Sequence, residues 1–195
     1  RGRSILNNVI FDNLKNPQSL DWFVTGSVNF YETSVDISNC TFSNNQCEDA
    51  LNIIRSDFTI DSSFFENSYS DAFDGDFVQG TVKNSRFTNI GNDAIDVSGS
   101  EIYVESLFMK NAGDKIFSSG EKSKLYINNC IIDSSNIAVA SKDLSLVEIN
   151  NLLINQSNIA FTAYQKKPEY GPSLIKIDNF KKNKKIKKDF LIEDN

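Results

Sequence analysis

Short runs of alternating apolar and polar residues recur along this chain at a nearly constant spacing. Val35-Asp36-Ile37-Ser38-Asn39-Cys40-Thr41-Phe42 is one copy, and Val82-Lys83-Asn84-Ser85-Arg86-Phe87 is another. Ile127-Asn128-Asn129-Cys130-Ile131-Ile132 and Ile149-Asn150-Asn151-Leu152-Leu153-Ile154 follow. Alternation with period two over four to six residues marks strands, and no window carries an apolar stripe of helical period. Aligned on one another, the copies give three columns. The first reads Asn8, Asn39, Ser62, Asn84, Ser106, Asn129, Asn151. Three residues on, the second reads Phe11, Phe42, Phe65, Phe87, Met109, Ile132, Ile154. The third reads Asn13, Asn44, Asn67, Asn89, Asn111, Ser134, Gln156.

A further motif recurs behind these columns. Glu48-Asp49-Ala50-Leu51-Asn52 returns as Ser70-Asp71-Ala72-Phe73-Asp74 and Asn92-Asp93-Ala94-Ile95-Asp96. It returns altered as Gly113-Asp114-Lys115-Ile116-Phe117, with echoes at Asn136-Ile137-Ala138-Val139-Ala140 and Asn158-Ile159-Ala160-Phe161-Thr162. Aligned on Asp49, Asp71, Asp93, Asp114, Ile137 and Ile159, the steps are 22, 22, 21, 23 and 22 residues. A fixed period of this size marks a repeat architecture. About 22 residues hold three short strands and three turns, and stacking such coils at ~4.8 Å makes a parallel β-helix. Apolar columns then fill the interior, and stacked Asn residues at the turns form amide ladders. An ordinary β-sandwich is the alternative, but it does not readily align Asn, Phe and Asp at one period. The expected fold is therefore an all-β, right-handed parallel β-helix of about seven coils.

The organisation follows. Residues 1–34 form an irregular first coil with an insertion from Leu14 to Ser34 that carries Pro17, Trp22 and Phe23. Trp22 either packs that loop down or offers a sugar-stacking platform. Residues 35–173 are the regular coils, interrupted near their end by Tyr164 to Gly171, which Gly171-Pro172 closes. Residues 174–195 give a last coil or cap rich in Lys, a usual protector of a solenoid edge. A glycan- or lipid-binding patch is the other reading of those lysines. The opening Arg1-Gly2-Arg3 reads as the cut edge of a longer chain, so further domains of the same protein are expected partners.

Composition narrows the function. The 195 residues carry a net charge of −6, which disfavours nucleic acid as a partner. The charge is uneven: residues 181–195 hold six Lys against Asp189, Glu193 and Asp194, leaving −9 on the remainder. No apolar run is long enough for a transmembrane segment. Cys40 and Cys130 share one column four coils apart, too far for a disulfide, and Cys47 sits on a turn. Three unpaired thiols are expected. The sequence has no His, which excludes mechanisms that need a catalytic imidazole.

Candidate chemistry lies on one wall. Side chains in a strand alternate faces. With Leu51, Phe73, Ile95, Ile116, Val139 and Phe161 taken as an inward column, an outward column reads Asn52, Asp74, Asp96, Phe117, Ala140, Thr162. A second outward column reads Ile54, Asp76, Ser98, Ser119, Lys142, Tyr164. Ala50, Ala72, Ala94, Lys115, Ala138 and Ala160 precede the inward column and are expected to leave an open strip. The Asp49, Asp71, Asp93, Asp114 column either caps turns or binds metal. Asp74, Asp76 and Asp96 offer three carboxylates to one spot, which suits a hard cation such as Ca²⁺. Lys115 and Lys142 stand nearby, and a desolvated Lys of lowered pKa can act as a general base. Asp74 with Asp96, or Asp76 with Asp96, could supply the two carboxylates of a hydrolase. A solvated acidic face without a ligand is the plain alternative. Tyr164, Lys166, Lys167 and Tyr170, with Glu169, could wall a glycan groove beside this face or meet a neighbouring domain.

On these columns the chain resembles the right-handed parallel β-helix proteins of the pectate-lyase-like superfamily, over roughly residues 35 to 180. Gly113-Asp114-Lys115 with Ser119-Gly120-Glu121-Lys122-Ser123, Lys142-Asp143-Leu144-Ser145, and Tyr164 to Gly171 look like β-helix segments of large bacterial extracytoplasmic proteins. The resemblance implies an extracytoplasmic location, secreted or at the cell surface, and polysaccharide as a partner. It implies three function classes. The first is polysaccharide recognition. The second is a calcium-dependent lyase, or a glycoside hydrolase, acting on an acidic polysaccharide, with Asp74, Asp96, Lys115 and Lys142 as catalytic candidates. The third is a rigid spacer.

Overall fold

A computed structural model describes residues 2–17 and 23–192. Trp22 lies outside the described residues. Every strand pairing is parallel, and no helix occurs among the described residues. The first coil holds β1 (Ser4–Asn7), β2 (Ile10–Asp12) and β3 (Gly26–Tyr31). The second holds β4 (Val35–Ser38), β5 (Thr41–Ser43) and β6 (Asp49–Ile54), and the third β7 (Asp57–Asp61), β8 (Phe64–Ser68) and β9 (Asp71–Asp76). The fourth holds β10 (Gln79–Lys83), β11 (Arg86–Ile90) and β12 (Ile95–Ser98). Beyond this point the corners soften and strands run through them: β13 (Glu101–Glu105), β14 (Phe108–Gly120), β15 (Lys124–Ile132), β16 (Ser135–Lys142) and β17 (Leu146–Tyr164). The last, β18 (Leu174–Ile192), pairs along β17 through all three faces.

The result is a parallel β-solenoid with three faces. Six regular turns of about 22 residues span Val35 to Tyr164, against the seven expected, with an irregular layer at each end. On the third face Leu51, Phe73, Ile95, Phe117, Val139 and Phe161 are successive partners, each 22 residues after the last. The expected steps of 21 and 23 are thus corrected to a uniform period. Ladder pairing demands equal spacing, so β14 absorbs the irregularity as a bulge between Ala112 and Lys115. Phe117, not Ile116, takes the inward column, and Lys115, not Asp114, continues the column of Asp93.

The columns explain why the coils turn where they do. The Asn/Ser column from Asn8 to Asn151 is left-handed throughout, with φ between 49° and 58°. Asn tolerates that conformation better than other residues with a Cβ, which is why it fills most of these positions. Asn13, Asn44, Asn67, Asn89 and Asn111 form a second left-handed column. Their amides make the ladder: Asn67 Nδ2 donates to Asn44 Oδ1 (3.1 Å), Asn89 to Asn67 (3.0 Å) and Asn111 to Asn89 (3.1 Å).

Inside, Phe11, Phe42, Phe65 and Phe87 stack with ring centroids 4.9, 4.7 and 4.6 Å apart. Parallel register places identical rings one above another, and offset stacking adds to their burial. Met109, Ile132 and Ile154 continue this column, all fully buried. Cys40, Cys47 and Cys130 are buried free thiols, and the Sγ of Cys40 and Cys130 donate to the carbonyls of Ser38 and Asn128. In β18, Ile175, Ile177, Phe180 and Ile186 pack on the core while Lys176, Lys181, Lys182, Lys185, Lys187 and Lys188 are exposed, and Lys182 pairs with Asp189.

Candidate functional site

The third face carries the chemistry. Its strands β6, β9 and β12 begin with Asp49, Asp71 and, just before β12, Asp93. Asp71 and Asp93 cap the next coil. The backbone N–H of Asp93 donates to Asp71 Oδ1 (2.8 Å), as does Asn92 Nδ2 (2.7 Å), and the N–H of Lys115 donates to Asp93 Oδ1 (2.9 Å). Three residues along each strand comes the outward column, which in true register reads Asn52, Asp74, Asp96, Ser118, Ala140, Thr162. The next outward column reads Ile54, Asp76, Ser98, Gly120, Lys142, Tyr164. The expected Phe117 and Ser119 therefore give way to Ser118 and Gly120. The expected open strip is also corrected. Ala50, Ala72, Ala94, Ala138 and Ala160 are fully buried and belong to the core, with Ile116 where Lys115 was expected. They sit at the corner, where a small side chain lets the chain bend inward twice in succession.

Six carboxylates thus crowd a shallow trough three coils long: Asp49, Asp71, Asp74, Asp76, Asp93 and Asp96. Burial pushes Asp74 up to about 9, reinforced by the charges of Asp76, Asp49, Asp96 and Asp71. Burial raises Asp93 to about 7, with Asp96 adding to the effect and Lys115 opposing it. Asp49 and Asp71 are each raised to about 6 by burial, and Asp76 is raised for the same reason. Asn52 Nδ2 donates to Asp74 Oδ2 (2.8 Å) and to Asp49 Oδ2 (3.3 Å). Its own Oδ1 is buried without a hydrogen-bond partner, as is the hydroxyl of Ser118 beside Asp96. Asn52 and Ser118 close the two ends of the Asp74–Asp96 pair.

Two lysines bound the trough. The Lys115 ammonium lies 3.5 Å from Asp93 Oδ1 and also pairs with Asp114. Burial works against its charge, but Asp93 and Asp114 hold its pKa above the ordinary lysine value. A lowered pKa, as a general base would need, is not what this geometry produces at Lys115. The Lys142 ammonium lies 3.6 Å from Asp96 Oδ1 and is 90% buried. Lys142 is the register partner of Tyr164, the residue that leads into the loop 165–173. In that loop the N–H groups of Lys166 and Lys167 both donate to Asp143 Oδ1, at 2.6 and 2.7 Å. Lys167 pairs with Glu121, and its charge also opposes the rise at Asp76. Lys122 sits over the Tyr170 ring at 5.6 Å. Tyr164, Lys167 and Tyr170 therefore stand along the rim of the trough, whereas Lys166 is tied to it through its backbone.

The carboxylates that approach one another are Asp71, Asp93 and Asp96, whose oxygens lie within 4.8 Å of each other, rather than Asp74, Asp76 and Asp96. Oxygen donors of this kind match a hard cation by type. Lys115 and Lys142, however, already stand against Asp93 and Asp96 and supply the positive charge there. As arranged, the cluster is a carboxylate–ammonium network. No family model, curated protein or solved structure matches this chain.

Proposed function

We propose that this β-helix recognises a polysaccharide laid along its third face, with the acidic trough as the contact surface. The observation that carries the reading is the Asn52–Asp74–Asp96–Ser118 column with Lys142 and Tyr164 beside it. It joins partly exposed carboxyl oxygens, a lysine ammonium and an aromatic side chain on a rigid wall, a mixture suited to sugar hydroxyls. The carboxyl groups outnumber Lys115 and Lys142 here, so neutral or amino sugars suit the trough better than uronates. Calorimetric titration with neutral xylo- and cello-oligosaccharides, glucosamine oligomers and oligogalacturonate tests this. Binding that Asp96→Asn or Tyr164→Ala weakens about tenfold supports it. Binding of oligogalacturonate alone, indifferent to both changes, contradicts it.

A second reading is favoured by one observation. Asp74 is held protonated by its surroundings while its strand neighbour Asp96 faces an ammonium group. Two carboxyl groups in contrasting surroundings are what glycoside hydrolysis uses. Reducing-end release from the same oligosaccharides, abolished by Asp74→Asn, would move the protein into that class. The calcium-dependent lyase reading is less favoured at Lys115, because Asp93 and Asp114 hold that lysine charged and a general base must be uncharged. An ultraviolet absorbance rise on acidic polysaccharide that chelator abolishes would restore it.

A further inference from the structure

The corner leading from the third face to the first carries a left-handed residue in every regular coil: Arg55, Phe77, Gly99, Glu121 and Asp143, with φ between 50° and 62°. Phe77 is the anomaly among them. A bulky residue with positive φ is strained, and its ring is 56% exposed to water. Asn, the usual occupant of such positions elsewhere in this chain, would relieve both costs. The ring also lies against the next coil. A Cβ on Gly99 would stand 2.6 Å from Phe77 Cδ1, so only glycine there leaves room for it. The Arg55 guanidinium sits 5.8 Å from the ring centroid and donates to the Tyr31 hydroxyl (3.3 Å).

An open groove of about 560 Å³ runs beside this ring, lined among others by Glu32, Arg55, Phe77, Gly99, Glu101 and Lys122. Phe77 directly follows Asp76 of the trough, and Lys122, which faces Tyr170, stands at the groove's far end. Groove and trough are therefore contiguous around one corner. An exposed flat apolar ring, flanked by planar and charged hydrogen-bonding side chains, is matched to a pyranose: its C–H face stacks on the ring and its rim hydroxyls meet Arg55, Glu32 and Glu101.

We infer that Phe77 and the Arg55–Gly99 groove form a second saccharide subsite, on which one sugar unit of a chain stacks as it leaves the trough. The inference rests on the recognition reading above, and its test separates the two. The whole chain is titrated with the neutral xylo- and cello-oligosaccharides and the glucosamine oligomers, two to six units long. Phe77→Asn, Phe77→Tyr and Asp96→Asn are compared with the wild type, each with its melting temperature. The expected result is that Phe77→Asn weakens binding of the longer oligomers about tenfold while melting at or above the wild-type temperature. Phe77→Tyr keeps the affinity. Equal affinity of Phe77→Asn and wild type, with Asp96→Asn impaired, overturns the subsite and leaves the trough. Loss in Phe77→Asn with Asp96→Asn unchanged keeps the subsite and overturns the trough. A wild-type chain that binds none of these sugars overturns both.

Discussion

The third face has two halves built on the same columns and the same 22-residue register. In the first, the strand-opening column is Asp49, Asp71, Asp93 and the outward column is Asn52, Asp74, Asp96. In the second, the same positions hold Lys115, Ile137, Ile159 and Ser118, Ala140, Thr162. Both halves are buried to a similar degree, and from Lys115 onward the second keeps the same 22-residue register as the first. The scaffold therefore does not need carboxylates at these positions, since isoleucine and alanine serve as well. Burying charge that the fold does not require costs stability. The acidic half also holds the stacked Phe42, Phe65 and Phe87, where the later half has Met109, Ile132 and Ile154. The larger apolar burial in the ring ladder offsets part of the cost of the trough.

The sharpest way to break this comparison is to cut the ring ladder. Phe87→Ala should cost ~3–5 kcal/mol by denaturant unfolding, and Ile154→Ala, at the matched position of the apolar half, ~2–4 kcal/mol. Equal losses would remove the idea that the rings carry the acidic half. A second test removes the counter-ion. Lys115→Met leaves Asp93 buried without its ammonium partner and should cost about 3 kcal/mol at pH 8. The loss should shrink at pH 5, where Asp93 takes up a proton, because its pKa already stands near 7. Loss of the same size at both pH values would show that Lys115 contributes packing alone.

The pH dependence itself separates the halves. Asp49, Asp71, Asp93 and Asp74 have folded pKa values of about 6, 6, 7 and 9, all above the unfolded carboxylate range. Folding then binds protons, so stability is greatest near pH 4 to 5 and falls as pH rises towards 9. On those values folding takes up about one proton at pH 8 and between three and four at pH 5, so at ~1.4 kcal/mol per proton the slope should grow from ~1.4 kcal/mol per pH unit near pH 8 to ~5 near pH 5. Urea midpoints across that range measure it, and a rising midpoint would refute the burial of the trough. The smallest effect belongs to the turns common to both halves. Asn89→Ala loses two ladder hydrogen bonds at an exposed left-handed position and should cost ~1 kcal/mol, whatever the pH.

Much of this was readable from the sequence because parallel stacking writes structure as columns. The Asn columns announced left-handed turns, and the Phe column announced a ladder. Where the reading slipped, it followed residue type instead of register. Asp114 looked like the heir of Asp93, yet the bulge at Gly113-Asp114 hands that place to Lys115, and the error shifted Phe117 and Ser118 with it. The apolar pair Ile116-Phe117 fits either register, so alternation alone could not decide. The alanines looked open because smallness does not reveal on which side of a corner a residue lies. Asp74, Asp96 and Lys142 were found together because their columns lay beyond the slip. Asp71 and Asp93 were read as either turn caps or metal ligands; they cap the next coil and also face Asp96. Phe77 was missed because its interest lies in exposure and backbone strain, and residue type signals neither.

The central claim is that the acidic half spends stability on a surface made to bind. Asp74→Asn tests it in one protein, with melting temperature at pH 8 and oligosaccharide affinity measured together. The amide keeps the hydrogen bond from Asn52 and, unlike the carboxyl, needs to take up no proton to stand uncharged among Asp76 and Asp96. The account predicts a higher melting temperature and about tenfold weaker binding. A lower melting temperature with unchanged binding would contradict it, and would make Asp74 a structural residue of the solenoid wall.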